Sequence, residues 1–253
     1  DAVLYLSQVQ QAIAIKTAVE GWRAQRPRCM GTLFWQLNDN WPVASWSSVE
    51  YGGKWKHLQY HAKRFYAPCA VMVEPAYKDP DTLEVWAVND KDEPLCGKAH
   101  LETWTFGGQV VFASPFTMDV PPRSARKLGS VPVASLGSEA ERRDRFLALS
   151  ADGCPDNEWQ LQFYRECNLA KADVKADVFD DNGVWTVRLS TDKPAFFVWA
   201  DVPGIRGIFS DDSFTLLPGR PKTLTFTKRE GERATFADFK RAFEVMHLRD
   251  SYE

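Results

Sequence analysis

Trp35, Gln36, Asn38, Asp39, Trp41 and Trp46 fall within one short stretch of the chain, Met30-Gly31-Thr32-Leu33-Phe34-Trp35-Gln36-Leu37-Asn38-Asp39-Asn40-Trp41-Pro42-Val43-Ala44-Ser45-Trp46. Flat apolar indoles interleaved with amide and carboxylate groups suit a sugar ring, which offers C–H faces and a rim of hydroxyls. Trp35 is the first candidate, because an aromatic at the carboxyl end of a buried strand can floor a site. Asn38, Asp39, Trp41 and Trp46 are candidates for its rim and wall. Each also has a plainer use: a core indole for Trp35, turn formation and backbone capping for Asn38 and Asp39, loop packing for Trp41 and Trp46.

Cleaving a glycosidic bond usually takes two carboxyl groups. Glu20 lies inside a helical pattern, Glu50 follows the aromatic loop, and Glu74, Glu84 and Glu102 fall in β-rich segments. None has the setting of a catalytic acid at a strand end, Glu50 only weakly, so no catalytic residue is assigned. His57 and His61 stand at i and i+4, a spacing that can hold a metal. No third ligand is nearby and Trp55 and Tyr60 crowd the same segment, so they read as packing or surface histidines. No metal and no cofactor is expected. The sequence has no Gly-rich phosphate loop, no Gly-x-Ser-x-Gly and no Cys/His pairing. Cys29, Cys69, Cys96, Cys154 and Cys167 are odd in number and include no CxxC, which points to scattered thiols.

The elements that must position these residues can be read from periodicity. Residues Ala2 to Arg26 form a helical pattern, with Tyr5, Val9, Ala12, Ile13, Val19 and Trp22 recurring and Pro27 stopping it. Met30 to Gln36 are predicted as a strand buried on both faces, since polar alternation is nearly absent. A polar, aromatic loop runs to Gly52-Gly53, and a second helix is predicted over Lys54 to Phe65, closed by Pro68. Helix, buried strand, loop, helix is α/β logic.

After Pro68 the pattern changes. Val71–Tyr77, Leu83–Asn89, Ala99–Phe106, Val110–Phe112, Phe146–Ser150 and Trp159–Tyr164 are short β-rich runs separated by turn residues, as in an antiparallel sandwich. Gly137 to Asp144 reads as an exposed charged loop. A third unit begins near Ala170. Val174–Phe179, Asp181-Asn182-Gly183 and Val184–Leu189 predict a hairpin on a type I′ turn. Phe196–Ala200, Ile205–Phe209 and Thr223–Phe226 continue it, and Thr235 can N-cap a final helix carrying Phe236, Phe239 and Phe243. Across 253 residues the net charge is −3, with no sustained basic run, so no nucleic-acid partner is expected. No apolar run approaches the roughly 20 residues that span a bilayer. Compartment is not legible.

Several of these strings together resemble a known family. Gly31-Thr32-Leu33-Phe34-Trp35-Gln36-Leu37-Asn38-Asp39, Trp41-Pro42, Ser45-Trp46-Ser47-Ser48, Trp55-Lys56 and Tyr60-His61-Ala62-Lys63-Arg64-Phe65-Tyr66-Ala67-Pro68 are similar to the last barrel strand and helix of glycoside hydrolase family 2 β-mannosidases. Val88-Asn89-Asp90 with Glu93-Pro94-Leu95 is similar to the opening of that family's immunoglobulin-like sandwich. Phe209-Ser210-Asp211-Asp212-Ser213-Phe214 with Leu216-Leu217-Pro218-Gly219 is similar to its terminal sandwich, and Leu248-Arg249-Asp250-Ser251-Tyr252 to its ending; residues 107–171 match by pattern only.

The resemblance implies a mixed fold: the terminal fragment of a (β/α)8 barrel over residues 1–68, an immunoglobulin-like β-sandwich over 69–169, and a second over 170–253 with a short C-terminal helix. It implies a retaining exo-β-mannosidase, removing terminal β-D-mannose from non-reducing ends with one glutamic acid as proton donor and a second as nucleophile. Those glutamates sit at the ends of the family's fourth and seventh barrel strands, so both are expected outside this chain, which would then be inactive alone. Trp35 is expected to line the subsite for the terminal mannose. The implied partners are the N-terminal part of the same enzyme, the β-mannoside, and for uncovered apolar faces a second copy of the chain. The alternatives are a carbohydrate-binding or structural sandwich module, holding polysaccharide through Trp86, Trp104, Trp159 or Trp199, or part of an exo-β-glucosaminidase of the same family.

Overall fold

The computed structural model describes residues 2–252. Helix α1 spans Ala2–Ala24 and helix α2 spans His57–Phe65; all other long elements are antiparallel strands. Two compact units are present. One contains residues 15–33 and 62–169, the other the chain up to Ala14 together with residues 34–61 and 170–253. Both helices therefore contribute residues to each unit.

In the first unit, strands β1 (Cys69–Ala76), β2 (Asp79–Asn89) and β5 (Ser124–Pro132) form one sheet in the order β1-β2-β5. Strands β3 (Leu95–Thr105), β4 (Val110–Val120), β6 (Arg145–Ala151) and β7 (Asn157–Gln160) form the other, in the order β4-β3-β6-β7. The inward residues alternate along each strand: Val71, Val73, Leu83, Val85 and Ala87 from one sheet meet Ala99, Leu101, Met118, Val120, Leu147 and Leu149 from the other. That is the core of a sandwich. The end of α1 is fixed to this unit through Arg23. Its guanidinium donates to the carbonyls of Phe65 and Ala67, which the end of α2 leaves open, and to Asp90 Oδ2 at 2.7 Å.

One polar cluster is enclosed in the same unit. Lys16 Nζ lies 3.1 Å from Glu20 Oε2, and Asn157 Nδ2 donates to Glu20 Oε1 at 2.9 Å and to the Val71 carbonyl at 2.8 Å. Glu74 faces this cluster. Burial, and secondly the nearby Glu20 carboxyl, push the Glu74 carboxyl up to about 8, and its Oε1 is enclosed without a hydrogen-bond partner.

In the second unit, β8 (Val174–Asp181) and β9 (Val184–Thr191) form the predicted hairpin; Asn182 and Gly183 at its tip both have positive φ, 52° and 88°. β10 (Ala195–Asp201), β11 (Gly207–Phe209), β12 (Phe214–Leu216), β13 (Lys222–Lys228) and β14 (Glu244–Met246) complete two sheets, ordered β11-β13-β9-β8 and β12-β10-β14. Phe239, fully buried, packs with Trp185, Phe209 and Phe226 at the centre of the core. It is carried by a helix, Phe236–Ala242, whose Thr235 is the expected cap and also forms a capping box with Asp238. Gly207 has no room for a side chain: a Cβ there would lie 2.3 Å from the Phe226 ring.

The described residues depart from the sequence reading in definite places. Residues 30–36 form no strand, and the barrel-end architecture predicted for this segment is not present as a ladder. A parallel strand needs hydrogen-bonding neighbours on its edges, and among the described residues the loop that follows this segment carries only isolated bridges, Asn38 to Val49 and Val49 to Trp55. The second helix begins at His57, not Lys54, because Lys56 N bonds back to the Ser48 carbonyl at 2.9 Å. Strand β7 ends at Gln160, short of the predicted Tyr164. Residues 139–142 of the predicted loop form a helical turn closed by a Ser138–Glu141 capping box. Strand β5 is unforeseen because it is largely exposed and lacks apolar alternation.

Candidate functional site

The 36–56 loop is built from inside outward. Ser48 N donates to the Gln36 carbonyl at 3.0 Å, Val49 N to Leu37 at 2.8 Å, and Asp39 N to Val49 at 3.0 Å. These bonds lay the stretch after Trp35 beside the stretch before α2. The Trp35–Gln36 peptide is cis. Beneath them lies a buried ionic knot. Asp39, 6% exposed, accepts from Ser45 Oγ at 2.5 Å, Ser47 Oγ at 2.6 Å and Lys56 Nζ at 3.1 Å. The hydrogen bonds from Ser45 and Ser47, with Lys56 a smaller influence, hold its carboxyl below the ordinary aspartate range.

The loop presents its large side chains outward. Trp35 is 73% exposed, Trp41 61% and Trp46 61%. Asn38 is exposed and its Nδ2 donates to the Asp39 carbonyl at 3.1 Å. Of the five residues singled out from sequence, three therefore offer open indoles, one an exposed amide, and Asp39 faces the interior. Gln11 Nε2 on α1 donates to the Trp46 carbonyl at 2.7 Å and steadies the loop's far side. Replacing Ser47, fully buried, by alanine removes the hydroxyl that Asp39 and Lys56 share. Ser47→Ala is expected to cost about 1–2 kcal/mol in chemical denaturation.

His57 and His61 converge on one hydroxyl. His57 Nδ1 lies 2.6 Å and His61 Nε2 3.1 Å from Ser213 Oγ, all three side chains buried. Ser213 supplies one hydrogen, so at least one imidazole must donate its own N–H. Ser213 adopts positive φ (52°), as does Phe197 (51°), whose carbonyl accepts from Tyr5 at 2.7 Å. Asp212 supports the turn by accepting from the Ala200 and Ser213 amides, both at 2.9 Å, and burial raises its carboxyl well above the usual range. The Asp212-Ser213 pair belongs to a string noted only for its resemblance; this fastening of α2 to the second sandwich is its structural use. Ser213→Ala should remove the hydroxyl that the two buried imidazoles share and lower stability by about 1–3 kcal/mol, read as the unfolding midpoint at neutral pH.

The tryptophans of the sandwiches divide. Trp104 is buried and donates to Glu102, while half-buried Trp86 donates to Glu84. Trp199 is half-buried and stacks on His57 at 4.2 Å with 19° between planes. No cluster of His, Cys, Asp or Glu with the geometry of a metal site occurs among the described residues.

A two-sandwich chain with two helices defines a class: proteins built from immunoglobulin-fold modules. Residues 81–156 match the mannosidase Ig/CBM-like domain, and residues 169–251 match the Ig-fold domain of mannosidases. The β-mannosidase of Capra hircus is 33% identical over 267 residues, which cover 98% of this chain and 30% of that protein. β-Mannosidase A of Aspergillus clavatus is 30% identical over 97% of this chain and 28% of its own length. The crystal structure of β-D-mannosidase from Dictyoglomus thermophilum superposes with a TM-score of 0.82 at 25% identity, covering 96% of this chain and 29% of that one. An exo-chitosanase of Amycolatopsis orientalis shares the fold, with a TM-score of 0.67 at 16% identity over 95% of this chain and 33% of its own. The chain is thus related to the β-mannosidases of glycoside hydrolase family 2, and it is their C-terminal part that it resembles. It spans about 30% of the length of the curated relatives named.

Proposed function

We propose that this chain is the C-terminal portion of a retaining exo-β-mannosidase, acting on terminal β-D-mannose of oligosaccharides or glycoconjugates. The observation that carries this reading is the open indole trio on a loop whose backbone is rigidly tied. Side chains as apolar as Trp35, Trp41 and Trp46, with Leu33 at 98% and Leu37 at 59% exposure, are costly to leave in water. In this reading residues 1–68 are the closing part of a (β/α)8 barrel, residues 69–169 and 170–253 are its two flanking sandwiches, and the N-terminal part of the same enzyme is the partner that covers the apolar segment. A second copy of the chain is the substitute partner when that part is absent.

Trp35 lines the subsite of the terminal mannose, with Asn38, Trp41 and Trp46 at the rim and wall. Asp39 serves the wall by holding Ser45, Ser47 and Lys56 beneath it. Both catalytic glutamates belong to the N-terminal part. In support, Glu20 is engaged with Lys16 and Asn157, Glu84 and Glu102 accept from indoles, and Glu50 is exposed. The test is hydrolysis of an aryl β-mannoside by this chain alone and by the chain rejoined to the N-terminal part. Activity is expected only in the second case, and turnover by the chain alone overturns the assignment. Hydrolysis of an aryl β-glucosaminide in preference to the mannoside would favour the sister activity instead.

A further inference from the structure

A concavity made wholly within the unit that contains the second sandwich has no part in that reading. It encloses about 420 Å³, within the range of small-molecule sites, and Trp55, Trp199, Gln8, Glu50 and Glu244 stand around it beside the Lys54–Asp201 ion pair at 2.6 Å. Both indoles are held in place. His57 covers one face of Trp199 and is itself tied to Ser213, while Tyr60 meets Trp55 edge-on at 5.2 Å and Trp199 at 5.9 Å. A rigid aromatic platform loses little entropy when a ligand settles on it.

The polar groups around the platform are spare. The Gln8 amide, the Glu50 and Glu244 carboxylates and the two indole N–H groups enter no side-chain hydrogen bond or ion pair with the described residues. Lys54 is matched by Asp201 and Lys56 by Asp39, so the unspent charge is negative and an anionic ligand is disfavoured. Flat apolar faces, two acceptor carboxylates, an amide and two ring N–H donors are complementary to an uncharged polyhydroxylated ring.

We propose that this pocket binds one neutral hexopyranosyl unit of an oligosaccharide, its C–H face against the indoles and its hydroxyls on Gln8, Glu50 and Glu244. The inference stands on these residues alone and does not need the mannosidase assignment. The experiment is titration of the full chain with β-1,4-mannobiose, followed by indole N–H resonances. The Trp55 and Trp199 signals, assigned through Trp55→Phe and Trp199→Phe, are expected to move saturably. The double variant Gln8→Ala/Glu244→Ala, changed at side chains that hold no part of the fold, should weaken binding roughly tenfold. Glucuronate should not compete. Absence of saturable shifts at Trp55 and Trp199, or affinity unaltered in the double variant, overturns the proposal. Failure here with mannoside hydrolysis intact in the rejoined enzyme would remove the pocket and spare the functional reading; the reverse result would do the opposite.

Discussion

Trp35→Ala in the rejoined enzyme should lower kcat/KM for an aryl β-mannoside roughly 100-fold while leaving the unfolding midpoint of this chain unchanged. The two halves of that expectation come from one fact. The indole is 73% exposed, so it contributes little to the fold, and its apolar face is free for a sugar. Losing the burial of a large aromatic face against ligand forfeits about 2–3 kcal/mol, which is the stated factor in rate. Trp35→Phe, which keeps a smaller ring, should recover part of the loss. A fall in kcat/KM matched by an equal fall in stability would mean that Trp35 is a packing residue. Unaltered kinetics would remove it from the subsite.

The second large effect is in the stability of the chain against pH. Glu74 has a folded-state pKa near 8 against 4.5 for the free side chain, because burial and the neighbouring Glu20 carboxyl penalise its charge. The protonated form is therefore favoured by folding. Its contribution is fully present below about pH 4.5 and is lost as pH rises through about 8. Lys16 opposes the shift in part, and Asn157 bonds Glu20, so the enclosed Glu74 Oε1 has no hydrogen-bond partner. Each pKa unit corresponds to about 1.4 kcal/mol, and with part of the charge screened by solvent the net change is on the order of 2–4 kcal/mol. Glu74→Gln carries a neutral side chain of the same shape. The difference in unfolding free energy between it and the parent chain should be small at pH 5 and should grow in favour of the variant up to pH 9. Parallel curves for the two proteins over that window would show that Glu74 ionises freely.

How much could be read in advance depended on whether burial left a periodic trace. The hairpin at Asn182-Gly183, the Thr235 cap and the alternating cores of both sandwiches are local or periodic, and the sequence shows them directly. Strands β5, β12 and β14 escaped because they are short or mostly solvated, so little apolar alternation marks them. The run 30–36 misled in the opposite sense: its apolar content is that of an enclosed strand, yet apolar content alone does not supply edge partners. At the site, the tryptophans were legible as types, but the inward turn of Asp39 was not. It depends on Ser45, Ser47 and Lys56, up to 17 residues away along the chain. Ser213, more than 150 residues from the histidines it joins, left no local signal at all.

The outermost position of β4 in its sheet has a consequence for life at high concentration. An open sheet border invites a neighbouring molecule to extend it, and Val110, Val111 and Phe112 lie exposed along this one. Midway down the same border stands Pro115, opposite His100 of the adjoining strand. Proline is tolerated on such a border where its missing N–H points away from the sheet. A would-be docking strand would find a gap in the row of donors there, and runaway stacking of molecules would stall at that point.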